Sequence, residues 1–289
     1  MLLNLSEILK VAKENNFTVG AYNVTESTMT KAIIETAEQY NAPSIIAAAT
    51  NEFYYAEKEY YKYVTERLKK SKIPFVLHLD HGKTYEDCAR AIQAGFTSVM
   101  IDGSLLPFEE NIKLTKKVVE LAHACNVSVE GEIGTIGANT ITDEGGEVSN
   151  ICYTNPSDAK RFVEETGIDA LAIAIGTAHG QYPKGYVPHL RFDILNDIKN
   201  IVDVPLVLHG GSNNPDEEII RACKEGISKV NISSDFKLAY YRGIKEYLVE
   251  TDDLYPTKII PHGANRVKEV VSHKMDLFAC KEKACLYNK

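Results

Sequence analysis

ALAIAI, residues 170–175, runs through six positions without a polar side chain. A strand with that pattern is buried on both faces, as in a parallel sheet covered by helices. PLVLH (205–209) reads the same way, and further β-rich runs lie along the rest of the chain. They are TVGAYN (18–23), SIIAAA (44–49), FVLHLD (75–80), SVMID (98–102), SVEGEI (128–133) and KVNIS (229–233), eight runs in all. Amphipathic stretches such as TKAIIETAEQY (30–40), YEDCARAIQAG (85–95), NIKLTKKVVELAHAC (111–125), DAKRFVEETG (158–167) and PDEEIIRACKEG (215–226) separate them. Several end at glycine or before proline, as helix stops do. Eight βα units predict an α/β chain folded as a (β/α)8 TIM barrel. A doubly wound sheet is the alternative, because a count of strands does not prove closure.

The 289 residues are expected to form one domain, 1–289, since barrels of about 250 residues are routine and no linker or low-complexity tract divides the chain. The tail from about residue 252 reads as a loop followed by an additional C-terminal helix. Two connections exceed the usual few residues, 134–156 and 176–191, and are read as covers for a functional site. A net charge of -8 argues against an electrostatic nucleic-acid partner. The N-terminus reads as a short amphipathic helix rather than a signal peptide, and no run approaches the roughly 18 apolar residues of a membrane span. A soluble, cytoplasmic protein without nucleic-acid or membrane partners is therefore expected. The six cysteines form no CxxC pair and are expected to be reduced core thiols.

In a barrel the active site lies at the C-terminal ends of the strands. Those ends are Asn23, Ala49, Asp80 with His81, Asp102, Glu132, His179 a few residues beyond the sixth run, His209 and Asn231. His81, His179 and His209 thus occupy the rim, whereas His123, His189, His262 and His273 fall on helices, loops or the tail. Three imidazoles with an open fourth position describe a catalytic zinc site. His78 shares the face of Asp80 by strand period and is read as a supporting residue, not a ligand. Asp80 and His81 would point to opposite faces of a regular strand. The strand is therefore expected to break near Asp80, with Gly82 easing the turn. HGGS (209–212) and NISS (231–234) follow the last two runs, where barrels hold phosphate on backbone amides. Gly210, Gly211, Ser212, Ser233 and Ser234 are candidate contacts there.

HLDHG (78–82), IDGS (101–104), GTAHG (176–180), VLHGGS (207–212) and KVNIS (229–233), in that order, resemble the class II, zinc-dependent ketose-bisphosphate aldolases from about residue 3 to the C-terminus. The resemblance implies reversible cleavage of fructose or tagatose 1,6-bisphosphate to dihydroxyacetone phosphate and glyceraldehyde 3-phosphate. It implies zinc on His81, His179 and His209, an alternative buried metal position at Asp102 and Glu132, and Asp80 as the acid/base for the C4 hydroxyl. Phosphate contacts map onto Gly180, Lys184, Gly210, Ser212, Asn231 and Ser234, with Tyr182 in a loop position and Asn23 near the substrate. A monovalent cation (Na+ or K+) is implied on carbonyls near Gly180 and Gly210, and a homo-oligomer, dimer or tetramer, as quaternary state.

The chain departs from the family pattern in two places. Thr140 stands where an assisting carboxylate is usual, so that Glu144 either replaces it or the group is missing. Ser233 matches neither the fructose nor the tagatose type, which leaves the epimer open. Other chemistries fit less well. Metal hydrolases on barrels start from a His-x-His pair on the first strand, which here reads GAYN. A Schiff-base aldolase needs a lysine at a strand end, whereas Lys229 begins its run and Lys184 lies in a loop. A noncatalytic phosphosugar-binding protein is the remaining alternative.

Overall fold

The computed structural model describes residues 1–135, 137–138, 151–179 and 188–287, with the backbone alone for 137, 138 and 179. Its strands are β1 (Val19–Asn23), β2 (Ser44–Ala49), β3 (Phe75–Gly82), β4 (Ser98–Ile101), β5 (Ser128–Ile133), β6 (Gly137–Ala138), β7 (Ala170–Ile173), β8 (Ala178–His179), β9 (Leu206–Leu208) and β10 (Ile227–Ile232). Eight of them close into a parallel barrel in the order β1, β2, β3, β4, β5, β7, β9, β10. Barrel closure decides against the doubly wound alternative. β10 returns to β1 with Val19 opposite Lys229 and Ala21 opposite Asn231. The sequence reading missed β6 and β8, which form a separate two-stranded parallel sheet.

Helices α1 (Leu5–Glu14), α2 (Ser27–Gln39), α3 (Thr50–Lys69), α4 (Tyr85–Gln93), α5 (Phe108–Ala124), α6 (Pro156–Thr166), α7 (Phe192–Lys199), α8 (Asp216–Glu225), α9 (Ser234–Glu250) and α10 (Pro256–Leu277) complete the chain. Their limits follow local chemistry. Asn4 with Glu7, and Thr84 with Asp87, form reciprocal caps that satisfy the first free amides of α1 and α4. α6 starts on Asn155 and Pro156 and stops at Gly167, whose φ of 71° suits only a left-handed end.

Every residue of the barrel strands is buried, which is why β2 and β7 are apolar throughout, whereas β5 and β10 alternate and bury Glu130, Glu132, Lys229 and Asn231. α1 lies under the strand starts, where the Ser6 amide donates to Ser128 Oγ at 3.0 Å. The tail beyond α9 is the expected loop and helix, followed by a short 3-10 turn (Ala284–Tyr287). It is laced back to the barrel: the Thr18 amide donates to the Phe278 carbonyl and the Ala284 amide to that of Asn41. All six cysteines are free. The expectation of core thiols holds for Cys88 and Cys280 but not for Cys125, Cys152 and Cys285, which sit at a helix end, in a connection and in the tail, and are exposed. Among the described residues no helix is long and apolar enough to cross a membrane.

Candidate active site

β3 does not end at Asp80. It continues to Gly82 through a bulge, with the register against β4 shifting between Leu79 and Gly82. The distortion falls on His81, whose φ of 50° is left-handed. That conformation turns two consecutive side chains toward one cavity, and His81 Nε2 lies 4.0 Å from Asp80 Oδ1. Gly82 has a different role from the one expected. A Cβ there would stand 2.6 Å from the Met100 carbonyl oxygen, so glycine is needed for the close approach of β4.

His81 and His209 meet ring against ring, with His81 Nε2 and His209 Nδ1 2.8 Å apart and the planes at 89°. The far nitrogen of each ring is held by a carboxylate. His81 Nδ1 donates to Asp102 Oδ2 at 3.0 Å, and His209 Nε2 donates to Glu130 Oε1 at 2.7 Å. Such partners fix the tautomer and orientation of imidazoles that bind metals. Asp102 Oδ2 also accepts from Lys83, and its Oδ1 from the Ser104 hydroxyl. Glu130 is fully buried and faces Lys229 Nζ, 2.9 Å from its Oε2. His78 lies below, fully buried, sharing a hydrogen bond with Ser98 Oγ at 2.8 Å.

Burial opposes protonation of His81, but the carboxylates of Asp80, Asp102 and Glu132 outweigh it and raise its pKa to about 10. Burial pushes Asp80 upward, yet the charges of His81, His209 and Lys229 and the Asn23 hydrogen bond bring it below its ordinary value. Glu132 is held well above the usual carboxylate range by burial and then by the neighbouring Asp102 charge. Its Oε2 is buried and makes no hydrogen bond among the described residues. Donor atoms of Asp80, His81 and His209 lie within 4.8 Å of one another, as do those of His81, Asp102 and Glu132. Buried imidazole nitrogens with carboxylate oxygens, backed by oriented partners and one orphaned carboxylate oxygen, fit a divalent cation such as zinc.

Asp80 is 1 % exposed and clamped from both sides. Asn23 Nδ2 donates to its Oδ2 and Asn231 Nδ2 to its Oδ1, each at 2.9 Å. The Oδ1 atoms of both asparagines are buried and make no hydrogen bond among the described residues. Across the mouth, Ser212 Oγ accepts from the amides of Ser233 and Asp235 at the start of α9, and Asn213 Nδ2 donates to Ser234 Oγ. The Asn214 side chain donates to the Gly210 carbonyl. Gly211 permits this contact of turns, since a Cβ would come within 2.3 Å of Val230 Cγ1. The HGGS and NISS turns thus converge on a helix N-terminus, a place where anions bind.

His179 ends β8, and only its backbone is described; Gly180, Tyr182, Lys184, Thr140 and Glu144 lie outside the described residues. Glu130 escaped the sequence reading, and Lys229 entered it only as a lysine that begins its run. Glu130 precedes the strand-end Glu132 by one pleat in SVEGEI, a charge repeated on one face of a buried strand that could have revealed it. Lys229 is not at the strand start, since β10 begins at Ile227.

A profile of the family described as "Fructose-bisphosphate aldolase class-II" matches residues 3–283. The 6-phospho-5-dehydro-2-deoxy-D-gluconate aldolase of Bacillus licheniformis is 40% identical over 99% of this chain and 98% of its own. The fructose-bisphosphate aldolase of Geobacillus stearothermophilus is 39% identical over 98% and 99%. The YdjI aldolase from Escherichia coli K12 superposes with a TM-score of 0.87 at 32% identity, covering 98% of this chain and all of that one. With this barrel and these relatives along its whole length, the chain belongs to the class II fructose-bisphosphate aldolase family of metal-dependent lyases.

Proposed function

We propose that the chain is a zinc-dependent aldolase that reversibly cleaves a phosphorylated ketose between C3 and C4, with fructose 1,6-bisphosphate or its tagatose epimer as substrate and dihydroxyacetone phosphate and glyceraldehyde 3-phosphate as products. The observation that carries this reading is the pair of facing nitrogens, His81 Nε2 and His209 Nδ1, beside the clamped Asp80 carboxylate. His81 and His209, with His179, would hold the zinc, and Asp102 and Glu132 a second, deeper position. When bound, zinc supplies a Lewis acid that stabilises the negative charge left at C2 and C3.

The protein's own groups do the rest. Asp80, ionised at neutral pH by its depressed pKa, accepts the C4 hydroxyl proton during cleavage and returns it in synthesis. Asn23 and Asn231 hold that carboxylate still, and their Oδ1 atoms accept from sugar hydroxyls. Hydroxyls of Ser212, Ser233 and Ser234, beside Gly211, hold the C1 phosphate at α9, assisted by Gly180, Tyr182 and Lys184. A monovalent cation on the Gly180 and Gly210 carbonyls and a homo-oligomer belong to the same reading. The strongly exposed Val249 and Leu254, near the end of α9 and just after it, suit a contact between copies.

The test is a coupled assay with fructose 1,6-bisphosphate, tagatose 1,6-bisphosphate and 6-phospho-5-dehydro-2-deoxy-D-gluconate, with and without EDTA. The third compound places a carboxylate where the bisphosphates carry their second phosphate. Cleavage of a bisphosphate that EDTA abolishes and zinc restores supports the reading. Preference for the gluconate derivative moves the substrate while keeping the chemistry. EDTA-insensitive cleavage trapped by borohydride would overturn it.

A further inference from the structure

Glu52 is a second buried carboxylate beside Asp80, and the chemistry above gives it no task. It lies in the first turn of α3 and is 2 % exposed. Its Oε2 accepts from the Ala49 amide at 2.9 Å and from Asn23 Nδ2 at 3.4 Å. Its Oε1 pairs with Lys237 Nζ, one turn into α9.

The Asn23 amide nitrogen has only two hydrogens, and one carboxylate engages each of them, Glu52 on one side and Asp80 on the other. A planar amide held at both hydrogens cannot rotate, so Glu52 fixes the orientation in which Asn23 grips Asp80 and turns its Oδ1 away. Two carboxylates sharing one amide would repel each other, and the Lys237 ammonium offsets the second charge. The group spans the ends of β1 and β2 and the start of α9. The link of Glu52 to Asp80 runs through Asn23, and its link to the α9 start runs through Lys237. We propose that Glu52 is a positioning residue for the aldehyde half of the reaction, locking Asn23 so that Asp80 stays at the C4 hydroxyl, with Lys237 as its counter-charge. This rests on the role given to Asp80 above.

The two halves of the reaction separate experimentally. Exchange of the C3 proton of dihydroxyacetone phosphate with solvent deuterium involves the phosphate side and no C4 hydroxyl, whereas cleavage of the ketose needs both halves. In the full-length, zinc-loaded enzyme, Glu52→Ala is expected to keep exchange and zinc content near wild type. Its kcat for cleavage should fall about 10- to 100-fold, as a displacement of about 1 Å can do, with little change in KM. Glu52→Gln, whose side-chain oxygen can turn to Asn23, should lie between Glu52→Ala and wild type. Glu52→Leu combined with Lys237→Met removes both charges and fills the space, so that it reads out the same split if Glu52→Ala folds poorly. Unchanged cleavage in these variants, or exchange and cleavage falling together, would overturn the proposal. A wild-type enzyme that neither exchanges nor cleaves would instead overturn the functional reading beneath it.

Discussion

Replacing Glu130 by glutamine tests the site from beneath, because Glu130 serves two partners at once. Its Oε1 holds His209 Nε2 at 2.7 Å and its Oε2 lies 2.9 Å from Lys229 Nζ, with both residues of that ion pair fully buried. Glu130→Gln leaves the Lys229 ammonium buried without its anion, a change that destabilises by about 3–5 kcal/mol. For 289 residues at about 2.1 cal/mol/K of unfolding entropy each, this lowers the thermal midpoint by about 5–8 °C. Adding Lys229→Met removes the stranded charge and should recover most of that loss. Zinc affinity should behave differently. Both variants lack the carboxylate behind His209, and loss of such a partner weakens metal binding about 10- to 100-fold, or about 1.4–2.7 kcal/mol. Thermal melts of the metal-free protein and zinc competition against a chromophoric chelator measure the two quantities separately. Wild-type zinc affinity in the double variant would refute the role of Glu130 in orienting His209. An unshifted midpoint in the single variant would refute the account of the buried pair.

Asp80→Ala should retain zinc by metal analysis while turnover falls by about two to four orders of magnitude; zinc lost in parallel would remove Asp80 from its acid/base role. In the metal-free protein the His81 pKa rises from 6.5 to about 10 on folding, so this group stabilises fully below about pH 6.5 and its contribution fades as pH rises toward 10. The thermal midpoint of the EDTA-treated protein, compared with a His81→Asn variant, should therefore exceed it most at low pH, and a constant difference across pH 6–10 would contradict the shift. Gly82→Ala places a methyl group 2.6 Å from the Met100 carbonyl and should lower stability by about 1–3 kcal/mol, read as an earlier urea midpoint; an unchanged midpoint would show that β4 yields at no cost.

The barrel was legible because strands covered on both faces read as apolar runs, so that SIIAAA marks β2 to the residue, and the β-rich SVEGEI, although it alternates, marks β5 as closely. The rim was legible because polar residues ending apolar runs have few reasons to be there other than chemistry, and Asp80, His81, Asp102, Glu132 and His209 do converge. What stayed hidden depends on pairing between distant segments. HLDHG announced a distortion near Asp80, but not that it would take the form of a register shift against β4 with His81 left-handed. Glu130 and Lys229 look like strand residues of no special kind until the barrel brings them together. Glu52 belongs to the start of a tyrosine-rich helix and gains meaning only from Asn23 and Lys237. β6 and β8 are two residues each, too short to leave a pattern.

The two asparagines that grip Asp80 belong to β1 and β10, the first and last staves of the barrel, whose contact joins segments about 210 positions apart in the chain. Contacts of such long range are slow to form, because the intervening chain must already be ordered. The acid/base therefore has both its hands only once the cylinder has sealed. A protein parted along that seam would keep His81 against Asp102 and Asn23 on Asp80 but lose the Asn231 grip, so turnover reports whether the first and last strands have met.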